Sequence, residues 1–179
     1  MFLSFRGEDT HYKFTDHLYT ALVEKGIVTF RDDEKLERGK SISSNTFRDD
    51  EKLERRKSIS SNTFRDDEKL ERGKSISSEL LQAIEESRFA IVILLENYAT
   101  SSWCLNELAK IIECEKELGM TVFPIFHYVD PFDVWKQLEL FKEAFVKHEE
   151  RFEKKKVKTW RDALSHVGNL VGCHLKNTR

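Results

Sequence analysis

Apolar residues fall along this chain in short runs and in stretches spaced three and four apart, alternating from one to the other. Phe2-Leu3-Ser4-Phe5 reads as a short strand, and Arg6-Gly7-Glu8-Asp9-Thr10 as a polar loop ending in a helix-capping residue. Phe14, Leu18, Ala21 and Leu22 recur at helical spacing up to Gly26, a helix terminator. Ile27-Val28-Thr29-Phe30 predicts the second strand. Ser77 or Ser78 caps a further helix that buries Leu80, Leu81 and Ile84. The unbroken apolar run from Phe89 to Leu95 is of the kind buried on both faces of a parallel sheet. Leu105, Leu108, Ile111 and Ile112 mark another helix. Thr121 to Phe126 is a fourth strand, closed by a turn at Val129-Asp130-Pro131. Phe141, Ala144, Phe145 and His148 predict a short helix, and Trp160, Leu164, Val167 and Val171 a terminal one. Alternating strands and helices imply an open parallel α/β sheet, in which ligands sit beyond the carboxyl ends of the strands. Met1 falls inside the expected first strand, so a stub of about five residues is expected to pair poorly.

A tandem repeat interrupts this alternation. The text of residues 29–44 returns at 46–61 and 63–78, with a period of 17. Arg56 stands where the other copies have Gly39 and Gly73. Each unit carries only Phe, Leu and Ile among about nine charged groups. That apolar area is too small to offset the ordering of the backbone, so a solenoid is excluded. Removing residues 45–78 restores a continuous strand-to-helix text. They therefore read as an insertion in the connection after the second strand. Such a loop is abnormally long, yet closure entropy grows only logarithmically with length. The low apolar content predicts a weakly ordered insertion.

Composition narrows the function. Thirty basic against 32 acidic residues leave a net charge of −2, which excludes a strong basic field for nucleic acid. Thirteen phenylalanines within 39% hydrophobic content supply a core. The longest apolar run has seven residues, far short of the roughly 20 that span a bilayer, so no membrane partner is expected. The start of the chain lacks the features of a secretory signal. Cys104, Cys114 and Cys173 form no CxxC pair, which argues against a disulfide framework or a metal site. A reduced, cytoplasmic or nucleocytoplasmic setting fits.

Six phrases, in order, resemble the TIR domains of plant nucleotide-binding leucine-rich-repeat immune receptors. They are Phe2-Leu3-Ser4-Phe5-Arg6-Gly7-Glu8-Asp9-Thr10, then Gly26-Ile27 with Thr29-Phe30-Arg31-Asp32-Asp33, and Ile84-Glu85-Glu86-Ser87-Arg88. Trp103-Cys104-Leu105-Asn106-Glu107-Leu108 follows, then Pro124-Ile125-Phe126 with Val129-Asp130-Pro131, and finally Lys136-Gln137 with Phe141-Lys142-Glu143-Ala144-Phe145. The resemblance covers residues 1–175 apart from the insertion and leaves 176–179 as a tail. It implies a five-stranded flavodoxin-like sheet, self-association with copies or other TIR domains, and cleavage of NAD⁺ at the nicotinamide–ribose bond. NAD⁺ is then the substrate, and no cofactor or metal is implied.

Within that resemblance Glu107 matches the catalytic glutamate. Breaking the N-glycosidic bond builds positive charge on the sugar while nicotinamide leaves neutral, so one carboxylate near the ribose suffices. The bland alternative is a solvated helix glutamate. Trp103, one helical turn before it, is either a wall of the same pocket or a helix-start aromatic. Phe5, Arg6 and Gly7 fall in the substrate-binding motif, where an arginine, a glycine and a helix N-terminus suit a phosphate. His11 departs from the expected basic residue and weakens that contact. Trp135 departs likewise from an expected Arg or Lys. The Glu-Arg-Gly phrase of the gating loop occurs twice, so Arg38 and Arg72 are both candidates for ligand contact, and the choice between them is open. Cys104 lacks a histidine at a predictable distance and reads as a buried cysteine. A phospho-receiver reading fails, because the strand ending at Leu95-Glu96 offers no aspartate. The resemblance assigns self-association to the first helix, with Asp16, His17 and Leu18, and to Asn169 to Gly172 on the last.

Overall fold

A computed structural model of the chain describes residues 1–7, 12–31 and 78–175. Five short strands form one parallel sheet. They are β1 (Phe2–Ser4), β2 (Phe30–Arg31), β3 (Phe89–Leu94), β4 (Thr121–His127) and β5 (Cys173–Leu175). Their order is β2-β1-β3-β4-β5, the doubly wound flavodoxin-like arrangement, with the reversal of order between β1 and β3. The described helices are α1 (Tyr12–Glu24), α2 (Ser78–Glu85), α3 (Ser102–Leu118), α4 (Pro131–Lys136), α5 (Glu139–Glu149) and α6 (Lys154–Gly168). A 3₁₀ turn, Tyr98–Thr100, precedes α3.

Alternation along the strands divides the core in two. Phe2, Ala90, Val92, Leu94, Val122 and Phe126 join the large cluster formed with α2, α3, α5 and α6. Leu3, Phe5, Ile93 and Leu95 face the other way, against Phe14, Leu18 and Tyr19 of α1. Helix α1 covers only part of that second face. Phe89 and Phe123, which alternation puts on it, are each 54% exposed, so the run from Phe89 is not buried on both faces as expected.

The first strand pairs better than its length suggests. Phe2 lies opposite both Phe30 and Ala90, and Ser4 opposite Val92. The Met1 ammonium donates to the Val28 carbonyl at 2.8 Å. The second strand begins later than expected, because the end of α1 takes up Ile27. Gly26 adopts φ +74 and donates to the Val23 carbonyl, while the Ile27 amide donates to Leu22, completing a Schellman turn. Val28 is left 89% exposed. Ser78 is the first residue of α2, Ser77 lies outside the described residues, and Leu81 is half-buried rather than core.

Three further differences concern the second half. The expected turn at Val129-Asp130-Pro131 starts a helix: the Asp130 side chain accepts from the Phe132 amide at 2.8 Å, and Pro131 takes the first helical position. Helix α6 stops at Gly168, which leaves Val171 92% exposed instead of on a helix face. Beyond it lies β5, which periodicity did not reveal and which the five-stranded resemblance implied. The helices over Leu105, Leu108, Ile111 and Ile112 and over Phe141, Ala144, Phe145 and His148 bury those residues as expected.

Candidate active site

The centre of the site follows from two local choices. Ser4, the last residue of β1, shares its face with Phe2 and so points toward α3. Ser101 caps α3 by accepting from the Cys104 amide at 3.3 Å, and that sets the first turn with Trp103 in it. Trp103 and Glu107 are four apart, on one side of the helix. The indole Nε1 of Trp103 donates to Glu107 Oε1 at 2.9 Å, and Ser4 Oγ donates to Oε2 at 2.8 Å. Tyr98, carried by the 3₁₀ turn after β3, brings its Oη within 3.0 Å of Ser4 Oγ and 3.2 Å of the Cys104 carbonyl. Burial holds the Tyr98 hydroxyl well above its ordinary pKa, reinforced by Cys104 and Glu107 and opposed by the bond to Ser4.

Glu107 is 1% exposed, which excludes the solvated helix glutamate. Burying a carboxylate is costly unless it is hydrogen-bonded, and this one takes a bond on each oxygen. The site lies where β1 and β3 adjoin, at the carboxyl end of β1, the crevice in which doubly wound sheets bind ligands.

The Phe5 ring turns away from this centre. It packs with Leu3, Ile93 and Leu95 on the α1 face, and only its carbonyl faces the α3 side, accepting from Cys104 Sγ at 3.7 Å. Arg6 ties the two strand-end loops together, donating from Nη1 to the Asn97 carbonyl at 3.3 Å. A Cβ built on Gly7 would meet nothing within 4 Å, so the space there is open. His11, Arg38, Arg72 and residues 45–77 of the expected insertion lie outside the described residues.

Cys104 is buried, as expected of a cysteine without a base partner. Cys114 is also buried, and that burial raises its thiol pKa, while Cys173 is exposed. Of the self-association candidates, Asp16 and His17 sit on exposed positions of α1. Asp16 is paired within the chain to Arg31 at 2.5 Å. Gly172 is not on a helix: it lies in the link from α6 to β5, where a Cβ would come 2.3 Å from the Pro124 carbonyl. Its glycine is therefore required by the close approach of that link to β4. Asn169 likewise follows α6 as its cap. Trp135 has the Lys136 ammonium 3.5 Å above its ring.

Ser4 and Tyr98 were not singled out from the sequence. One polar residue inside Phe2-Leu3-Ser4-Phe5 was the available signal for Ser4; Tyr98 offered none, since its partners are 94 residues away and across a helix turn. A groove of about 610 Å³ between α2, α3 and α6, lined in part by Leu81, Lys110, Glu113 and Lys156, includes neither Glu107 nor Trp103. Among the described residues no His, Cys, Asp and Glu cluster could hold a metal ion, and no helix is long and apolar enough to cross a membrane.

Comparison with known proteins agrees with this architecture. The TIR domain profile matches twice, over residues 1–59 and 50–179. The disease resistance protein RPV1 of Vitis rotundifolia is 47% identical over 179 residues, covering 100% of this chain and 10% of that protein. The TMV resistance protein N of Nicotiana glutinosa is 44% identical, covering 96% of this chain and 12% of its own length. The TIR domains of the activated Roq1 resistosome, which directly recognises the pathogen effector XopQ, superpose with a TM-score of 0.72 at 42% identity, covering 99% of this chain and 87% of that one. The chain thus spans about a tenth of the length of these curated relatives. The chain belongs to the TIR domain family, in the form carried by plant disease-resistance proteins.

Proposed function

We propose that this TIR domain cleaves NAD⁺ at the nicotinamide–ribose bond when self-associated, in immune signalling in the plant cytoplasm. The observation that carries the reading is Glu107, a buried carboxylate at the β1/β3 crevice, oriented by Trp103 and Ser4. In the proposed reaction Glu107 binds the ribose hydroxyls and stabilises the cation that develops as nicotinamide leaves. Arg6 and the open space at Gly7 lie beyond the same strand end and suit the pyrophosphate. Arg38 or Arg72 would complete the site from the gating loop. Asp16, His17 and the α6–β5 link with Gly172 would form contacts between copies, and the assembled TIR domains of the Roq1 resistosome support self-association.

The extra repeats are proposed to be an insertion that dilutes the competent loop conformation. The two profile matches, which overlap at residues 50–59 within the repeats, support a duplication. Purified protein at high concentration, incubated with NAD⁺, tests the reading: nicotinamide release that disappears in Glu107→Ala is expected. Equal release by parent and variant removes Glu107 from the mechanism.

One observation favours a second reading, a scaffold that associates without turnover. Glu107 is 1% exposed and both its oxygens are already engaged, so a ribose reaches it only after local rearrangement. Self-association with no nicotinamide release at any concentration would establish that alternative.

A further inference from the structure

We infer that Ser4 and Tyr98 are positioning residues for Glu107, joined to it in a hydrogen-bond chain that reverses direction when the carboxyl gains or loses its proton. The inference rests on the proposed role of Glu107 only for its effect on turnover; the chain itself stands on the geometry.

The argument is a count of protons. Each hydroxyl owns one. Three contacts compete for the two: Ser4 Oγ to Glu107 Oε2 at 2.8 Å, Ser4 Oγ to Tyr98 Oη at 3.0 Å, and Tyr98 Oη to the Cys104 carbonyl at 3.2 Å. With Glu107 ionised, Ser4 donates to Oε2 and Tyr98 donates to Ser4. The Cys104 carbonyl still accepts from the helix amide four residues on. With Glu107 neutral, its O–H donates to Ser4, Ser4 to Tyr98, and Tyr98 to the Cys104 carbonyl. Both arrangements satisfy both hydroxyls without moving a heavy atom. Trp103 Nε1 donates to Oε1 in either state and holds the rotamer.

Burial makes the chain consequential. Ser4 and Tyr98 are 0% exposed and Glu107 is 1% exposed, so water is a poor substitute for a lost partner. The raised pKa of Tyr98 keeps its hydroxyl protonated at physiological pH. Among the described residues, the titratable and charged groups nearest this network are Cys104 on α3, Arg6 beyond β1, which bonds the Asn97 carbonyl, and His148 of α5, which bonds the Ala99 carbonyl in the same 3₁₀ turn at 2.8 Å. For a group that must stay anionic beside a developing cation, the Ser4 donor lowers the carboxyl pKa, and Tyr98 fixes the Ser4 rotamer that provides it.

The test is a titration of the Glu107 side-chain carboxyl by carbon-13 NMR without NAD⁺, the signal assigned by its loss in Glu107→Gln. Ser4→Ala is expected to raise the Glu107 pKa by about one to two units, the equivalent of a lost charge-assisted hydrogen bond. Tyr98→Phe raises it by less, because Ser4 still donates. Ser4→Thr, which keeps the hydroxyl, restores the parent value. An unchanged Glu107 pKa in a natively folded Ser4→Ala protein overturns the inference. If Ser4→Ala fails to fold, the nearly isosteric Tyr98→Phe decides alone, a rise supporting the chain and no change overturning it. Nicotinamide release, measured in parallel, separates the two claims. A shifted pKa in a protein that releases none supports the chain and counts against the proposed reaction. An unshifted pKa alongside release that needs Glu107 supports the reaction and overturns the chain.

Discussion

Among the described residues, two polar networks are built differently. One surrounds Glu107 at the β1/β3 crevice. The other seals α4 against α6. In the second, Gln137 ends α4 in a left-handed conformation, φ 54, and its Nε2 donates to the Arg161 carbonyl at 2.7 Å and to Ser165 Oγ at 2.8 Å. Arg161 returns a bond to Gln137 Oε1 at 2.7 Å, reaches Glu149 at 2.7 Å and lies over the Phe145 ring. That network opens to water through Glu149, which is half exposed. The Glu107 network instead ends in a carboxylate 1% exposed. Carrying charge outward to solvent serves stability. Enclosing it at the ligand edge of a sheet costs stability, and such arrangements concentrate at functional sites.

The largest expected effect breaks the first network alone. Glu107→Ala should reduce nicotinamide release by at least about 100-fold, the scale of losing one preorganised electrostatic group. Its melting temperature should stay close to the parent's, because removing a costly buried carboxylate offsets the acceptor that Trp103 Nε1 loses, and Ser4 can turn its hydroxyl to Tyr98. Calorimetry beside a nicotinamide assay checks both; a large stability loss would make Glu107 structural.

The converse change belongs to the second network. Arg161→Ala leaves Gln137 Oε1 without its donor in a buried seam and should lower unfolding free energy by about 1–3 kcal/mol. Nicotinamide release per folded molecule should not change. Urea denaturation measures the first effect, and an assay corrected for folded fraction the second. Reduced release per folded molecule would mean that the networks are coupled.

Deleting residues 45–78 sharpens the contrast, since it should act on the output of the first network and leave the second untouched. An ordinary loop populates its competent conformation more, so nicotinamide release and sedimentation at equal concentration should both rise several-fold. Equal inactivity and an equal monomer fraction in the deleted form would clear the insertion and turn suspicion to His11.

The smallest effect concerns the residue between the networks. His148 of α5 bonds the Ala99 carbonyl in the turn that carries Tyr98, and burial lowers its pKa below the ordinary 6.5, partly offset by that bond. The unfolded chain therefore binds the proton more readily. Stability is complete above about pH 6.5 and declines as pH falls toward the folded value, by at most about 1.4 kcal/mol per pH unit. His148→Asn should flatten this part of the pH–stability curve. An identical slope in parent and variant would assign the acid sensitivity to another group.

What the sequence alone determined was what repeats locally. The 3.6-residue spacing of Leu105, Leu108, Ile111 and Ile112 describes a helix whether or not the sheet is present, and the run from Phe89 to Leu94 describes a strand in the same way. Gly26 and Asp130 sit at helix boundaries for reasons confined to a few residues of backbone, although only the structure turned the second from a turn into a cap. Glu107 stood out by resemblance, while spacing by itself left it a surface glutamate. Its burial depends on Ser4, 103 residues away, and nothing in a local window encodes that contact. The same holds for β5, three residues that become a strand only by pairing with β4, and for Gly172, whose need for hydrogen in place of a side chain comes from Pro124. Tertiary structure decided these because hydrogen bonds, desolvation and close backbone approach act between neighbours in space, whereas periodicity records only neighbours along the chain.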